Sequence, residues 1–261
     1  MLTSTLNTEL EKRDLQLVTA GEVKGFVDAA DEVSLVSWPE FMLHDEVANQ
    51  YWYTLNDKFA NFQFALLNKT SHQWVAVGNS IPVHWTGELQ NLPDEGWDWA
   101  LESGMTSDES PNLLCALAIQ ILPDQRGVGL SSLMVRIMKE IGHHAGFDQL
   151  IAPVRPSQKC DYPLLSMETY IGWQKDDKCF DPWIRVHERL GAQIMKICPQ
   201  SMQISGRVKE WQDWTGLSFQ SSSTYIISSA LTTVKIDIAN DSGIYTEPNV
   251  WMVHRYNNQK V

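Results

Sequence analysis

Long hydrophobic runs are missing from this chain: no stretch approaches the ~20 apolar residues that cross a bilayer. Its first residues, MLTSTLNTELEKRDLQ, also lack the apolar centre of a secretory signal. Cysteine is scarce, with four residues, Cys115, Cys160, Cys179 and Cys198. They form no CxxC pair, and no histidine cluster stands at zinc-ligand spacing. The cysteines read as free thiols in a reducing compartment in preference to a disulfide framework or a metal site. Positive charge is short as well: 20 Lys and Arg face 32 Asp and Glu, for a net charge of −12 and a pI near 4.9. A general nucleic-acid binder needs a basic footprint, and docking on an anionic membrane needs the same. The expectation is a cytoplasmic protein with neither partner. An anionic ligand would need a local positive site.

Apolar residues are plentiful, at 43% with eleven tryptophans, enough for a substantial core. Residues 15–35 and 39–60 read as helices, the second opening at Pro39. FQFALLN (62–68) and WVAVGNSIPVHW (74–85) flank a short polar turn and predict an antiparallel hairpin. Residues 86–111 read as a long loop with one short helix near Trp97. NLLCALAIQIL (112–122) is apolar almost throughout, as a strand buried on both faces would be. From Gly129, Leu130, Leu133, Met134, Ile137, Met138 and Ile141 recur along one helical face. FDQLIAPV (147–154) reads as the next strand, which completes a strand–helix–strand crossover. After a polar connection over 156–181, Asp181-Pro182 starts a helix that ends at Gly191. Strands are expected at 192–198, 223–238 and 249–256, with a short helix over 205–216. The sum is an α+β fold, a mixed sheet with helices against it.

The turn between strand and helix, LPDQRGVGLSS (122–132), carries the functional argument. Two glycines let backbone approach a ligand closely, and a helix N-terminus offers unpaired N–H groups and a positive dipole end. No lysine follows the glycines, so the Walker pattern fails. Ser132 stands where the dinucleotide fingerprint needs its third glycine. The pattern R/Q-x-x-G-x-G/A is met by Arg126, Gly127, Val128, Gly129, Leu130 and Ser131, with serine in the last slot.

On these residues, and over roughly 60–200, the chain resembles the GCN5-related N-acetyltransferase (GNAT) superfamily. The resemblance implies a GNAT-like central twisted mixed sheet with flanking helices, enlarged by N- and C-terminal extensions into one domain over 1–261. Those extensions either close that domain or build a homodimer surface. It implies acetyl-CoA or another acyl-CoA as co-substrate, with no metal. The pyrophosphate would lie on the loop formed by Arg126, Gly127, Val128, Gly129, Leu130, Ser131 and Ser132. Pantetheine would pair with the end of the strand at Gln120 and Ile121, where the two crossover strands splay apart. Arg155 and Lys159 are candidate partners for the ribose 3′-phosphate.

The family's general-acid tyrosine falls, in VHERLGA, on His187. Trp183, Val186, His187 and Leu190 share one helical face, so His187 points towards the sheet, where an imidazole would act as acid or base. The alternative for that position is a hydrogen-bonded core histidine. Tyr162, Thr169 and Tyr170 sit in the 156–181 connection, a candidate lid on the acceptor side. The activity implied is acyl transfer, N-acetyl transfer first, from acyl-CoA to a small-molecule or protein acceptor. Two further readings share the fold: a malonyl-CoA decarboxylase and S-acyltransferase that loads a carrier protein, and a non-catalytic acyl-CoA-binding module.

Overall fold

The computed structural model describes residues 2–256. Met1 and residues 257–261 of the expected 1–261 domain lie outside the described residues. Helix α1 (Ser4–Lys12) is followed by Asp14, whose φ of +56° turns the chain into strand β1 (Leu15–Thr19). Next come α2 (Phe26–Ser34), α3 (Glu46–Tyr51), α4 (Leu55–Lys58), β2 (Gln63–Asn68) and β3 (Trp74–Val83). The crossover follows α5 (Gly96–Thr106) and consists of β4 (Leu113–Ile121), α6 (Leu130–His144) and β5 (Gln149–Val154). The connection folds as α7 (Met167–Ile171) and a small hairpin, β6 (Gln174–Lys175) with β7 (Lys178–Cys179). The C-terminal part adds α8 (Pro182–Arg189), β8 (Gln193–Gly206), α9 (Val208–Thr215), β9 (Ser223–Tyr225), β10 (Val234–Asp237) and β11 (Ser242–Arg255).

Nine strands form one sheet in the order β1-β2-β3-β4-β5-β11-β10-β9, and β8 lies along the other edge of β11. Among the described residues β4 and β5 are its parallel pair; the other neighbours run antiparallel. The α+β fold, the hairpin and the crossover stand as the sequence indicates. Helix α6 buries Leu133, Met134, Ile137 and Met138 against one face, with α1 beside it. The other face packs against α5 and the short helices of 40–58.

Four segments differ from expectation. Residues 15–19 pair with β2, Leu17 opposite Leu66, and only the second half of 15–35 is helical. Residues 39–60 break into short helical pieces, and the Asp45 side chain accepts from Ala48 N to start one of them, α3. Strand β8 runs on to Gly206 because β11 is long enough to pair with it, which leaves only 208–215 for the helix. The 223–238 strand is interrupted where Ile227, Ala230 and Leu231 turn inward to the core.

Candidate functional site

Strands β4 and β5 pair only at Leu114–Leu150 and Cys115–Ile151. Beyond that they part, although β4 continues to Ile121 and β5 to Val154. The backbone edge of β4 that faces β5 therefore has no strand partner, and a cleft of about 770 Å³ opens between the two strands. That volume suits a cofactor-sized ligand. Ala116 to Ile121 form one wall and Ala152 to Arg155 the other, with Trp183, Val186 and His187 of α8 along the floor.

At the mouth of the cleft lies the glycine loop. Gly127 and Gly129 have φ of +82° and +85°, conformations that side chains resist. A Cβ at Gly127 would meet nothing within 4 Å, so the space over this backbone is open. Among the described residues, no N–H from Gly127 to Ser132 has a backbone acceptor. These donors stand at the N-terminus of the 15-residue α6, an arrangement able to accept an anion. Of the loop residues singled out in the sequence, Arg126, Gly127, Leu130 and Ser131 border the cleft together with Ile121; Val128, Gly129 and Ser132 do not. The Leu130 side chain is packed into the core, so only its backbone is on offer. Arg126 Nε donates to Ile121 O at 3.2 Å. Sequence reading missed Arg13, whose Nη1 donates to Val128 O at 2.8 Å and whose Nη2 pairs with Glu9 at 3.2 Å. With 115 residues between Arg13 and the loop, no local pattern signals it.

Asp181 starts α8: its Oδ1 accepts from Trp183 N and Ile184 N at 2.9 and 3.1 Å. The apolar stripe of the helix then carries His187 inward, where it is 2% exposed. His187 Nδ1 lies 2.9 Å from His254 Nε2 on β11, and Nε2 has no partner among the described residues. Burial, then His254 and the Lys139 ammonium, hold the His187 pKa well below its ordinary value. The imidazole is thus neutral, both a core histidine hydrogen-bonded on one side and a cleft-lining group on the other.

Two expected phosphate partners are engaged elsewhere. Arg155 Nε donates to both oxygens of Glu247 at 3.0 Å, and its Nη2 to Ser229 O at 2.7 Å. Lys159 is fully buried and donates to Tyr162 O and Leu231 O. The candidate lid is likewise closed packing. Tyr170 donates to Asp181 Oδ2 at 2.8 Å and clusters with Tyr162, Trp173 and Phe180, and Thr169 takes part in the N-cap of α7. Residues 158–181 do not border the cleft.

One residue weighs more than its sequence context suggested. Gln120, 3% exposed, borders the cleft, and neither its Nε2 nor its Oε1 finds a partner among the described residues. A buried amide with both ends unmatched costs free energy that a ligand would recover.

No protein-family model matches the chain. The arginine N-acetyltransferase avaD of Aspergillus versicolor is 33% identical, with 83% of this chain and 84% of that protein covered. The chain belongs to the GCN5-related N-acetyltransferase superfamily. Among solved structures, the loading GNATL domain of CurA from Lyngbya majuscula superposes with a TM-score of 0.56 at 19% identity. It covers 92% of this chain and 97% of its own. The GphF GNAT-like decarboxylase, in complex with isobutyryl-CoA, gives a TM-score of 0.55 at 15% identity over 92% of this chain and 98% of its own. At such identities these two establish the fold. This GNAT protein is an acyl-CoA-dependent acyltransferase. No helix among the described residues is long and apolar enough to cross a membrane.

Proposed function

We propose that this acetyltransferase moves an acetyl group from acetyl-CoA to an amine of arginine or of a close cationic analogue. The observation that carries the reading is the cleft: two strands part beside a loop whose N–H groups are free, and His187 lies on its floor. The acceptor class is supported by the relative, which is named for arginine.

Acetyl-CoA supplies the acyl group as a thioester. The loop N–H groups from Gly127 to Ser132, with Arg126 and Arg13 nearby, hold the pyrophosphate. The unpaired edge of β4 at Gln120 and Ile121 aligns pantetheine as an extra strand would. As the amine nitrogen bonds to the thioester carbonyl carbon, the C–S bond breaks and the amine gives up a proton. His187 takes that proton at Nε2 and passes it to the departing sulfur. For this, Nδ1–H is donated to His254 Nε2, which leaves the lone pair on Nε2 of His187. Burial keeps the imidazole neutral at the start and makes its protonated form a strong acid, which favours onward transfer of the proton to sulfur over retention on the ring.

The test is thiol release from acetyl-CoA in the presence of L-arginine, with the product identified by mass. Release that depends on arginine and on His187 supports the reading. Acetyl-CoA binding without thiol release for any amine offered would overturn it.

A further inference from the structure

Where β8 and β11 border the cleft, carboxyl groups outnumber cations. Asp45 is fully buried; its Oδ1 accepts from Ala48 N at 2.8 Å, and its Oδ2 has no partner among the described residues. Asp98, in the first turn of α5, accepts from Gln203 N at 3.1 Å through Oδ2 and leaves Oδ1 unpartnered. Glu247 is fully buried and borders the cleft, held by Arg155 and by the Tyr245 hydroxyl at 2.9 Å. Of these three carboxyl groups Glu247 is ion-paired, with Arg155; Asp45 and Asp98 have no ion pair among the described residues. Burial, and then the neighbouring carboxylates, raise Asp45 to about 6 and Asp98 to about 8, so near pH 7 Asp98 holds its proton and gives it up when a cation comes to lie beside the group.

An independent observation falls on the same wall. Asn249 is 2% exposed and borders the cleft; its Nδ2 donates to Ser201 Oγ at 2.9 Å, and its Oδ1 accepts from nothing among the described residues. Ser201 Oγ also accepts from Trp97 N at 2.9 Å, which ties α5, and with it Asp98, to this point. The close approach depends on Gly96: a Cβ there would stand 2.4 Å from Ser201 Oγ. A bulge between Glu247 and Asn249 re-aims β11 at the same place.

A buried amide oxygen in need of a donor, beside crowded carboxyl groups that a cation would ionise, fits a cation that carries several N–H groups. We propose that the cationic end of the acceptor, a guanidinium or an ammonium, is received at Asn249 and Glu247, with Asp98 and Asp45 behind them supplying the field that selects it. This rests on the N-acetyltransferase reading and deepens it: the cleft would choose its acceptor by charge at the end remote from the reacting amine.

The experiment compares acetylation of L-arginine with that of L-citrulline, which keeps the α-amine and the shape but replaces the guanidinium with a neutral urea. The wild type is expected to favour arginine in kcat/KM by about a hundredfold or more, as sites built on buried polar groups do. Asp98→Asn, which keeps shape and removes the ionisable group, is expected to cut that preference at least about tenfold when assayed above about pH 8, where Asp98 is ionised, roughly one pair interaction at an interior site. Binding of acetyl-CoA by the variant serves as the control for folding. Equal use of arginine and citrulline by the wild type, or an undiminished preference in Asp98→Asn, would overturn the proposal. The two failures are distinguishable. Acetylation without cation preference sinks only the charged subsite, whereas acetyl-CoA binding with no amine acetylated sinks the reading beneath it as well.

Discussion

His187 and His254 face each other across 2.9 Å, Nδ1 to Nε2, one on α8 and the other on β11. Both are neutral in the folded protein: burial lowers His187 well below its ordinary value and His254 to about 4. An unfolded histidine takes up its proton near about pH 6.5. The pair therefore supports the fold fully above about pH 6.5, and that support is lost as pH falls towards about 4. By pH 5 the loss attributable to His254 alone is about 2 kcal/mol. Asp45 and Asp98, raised instead, act in the opposite sense, but they are common to wild type and variant. Urea midpoints near pH 7 and pH 5 are expected to show a smaller acid loss in His254→Asn than in the wild type. A parallel loss in both would remove the pair from the acid response.

The same geometry makes His187 the proton carrier in the proposed reaction. His187→Ala is expected to lower kcat by roughly a hundredfold, the low end for general acid–base groups. Acetyl-CoA affinity should hold, because the loop proposed to bind it precedes α6 and is not part of α8. Stopped-flow acetylation with a parallel binding titration separates the two. A purely structural histidine would lower stability and leave kcat per folded molecule unchanged.

Arg155 was a phosphate candidate in the sequence and is an internal counterion in the fold. Glu247 beside it is fully buried, so Arg155→Ala strands a carboxylate. That is expected to cost about 3–5 kcal/mol of stability, as breaking a buried pair does. Under conditions where the variant is folded, its CoA affinity should match that of the wild type, and CoA lacking the 3′-phosphate should discriminate the two proteins no further. A selective loss of affinity for the 3′-phosphate would return Arg155 to the binding site.

How much of this was legible before the structure depends on range. The crossover could be read because each of its parts declares itself within a few residues: the apolar β4, the loop glycines, the stripe from Leu130 to Ile141. The inward turn of His187 followed from helical spacing alone. Nothing local marks Leu15–Thr19 as a strand, since it forms only by pairing with β2. The same holds for Arg13 at the loop, and for Asp45, Asp98 and Glu247, which three separate elements bring together. Lys159 and Arg155 misled because a basic residue after a strand looks solvent-facing until Leu231 O and Glu247 are found against it.

Gln120 offers a stability test that is also a functional one. Both ends of its amide are orphaned, and the residue borders the cleft. Replacing it with leucine, of similar size, removes the unmet polar groups and is expected to stabilise the fold by roughly 1 kcal/mol. If the amide meets the acceptor, KM for the amine should rise about tenfold, the worth of one buried hydrogen bond, with CoA affinity steady. A more stable protein with an unchanged amine KM would assign the orphaned amide to strain rather than to recognition.

The loop gives the most direct test of the co-substrate site. A Cβ at Gly129 would have only Arg13 Nη2 within 4 Å, at 3.5 Å, so Gly129→Trp places an indole in open space over the first turn of α6. The positive φ of +85° adds strain of about 1–3 kcal/mol, borne by an exposed turn. Calorimetry should show CoA and acetyl-CoA binding lost in this variant while its far-ultraviolet dichroism matches the wild type. Arg13→Ala leaves the loop backbone in place and removes one cation, so its effect should be smaller, about tenfold in affinity, and should shrink as salt is raised. Full binding by Gly129→Trp would mean that the open N–H groups face something other than pyrophosphate. Full binding by Arg13→Ala alone would leave the cradle intact and confine Arg13 to holding Val128 in place.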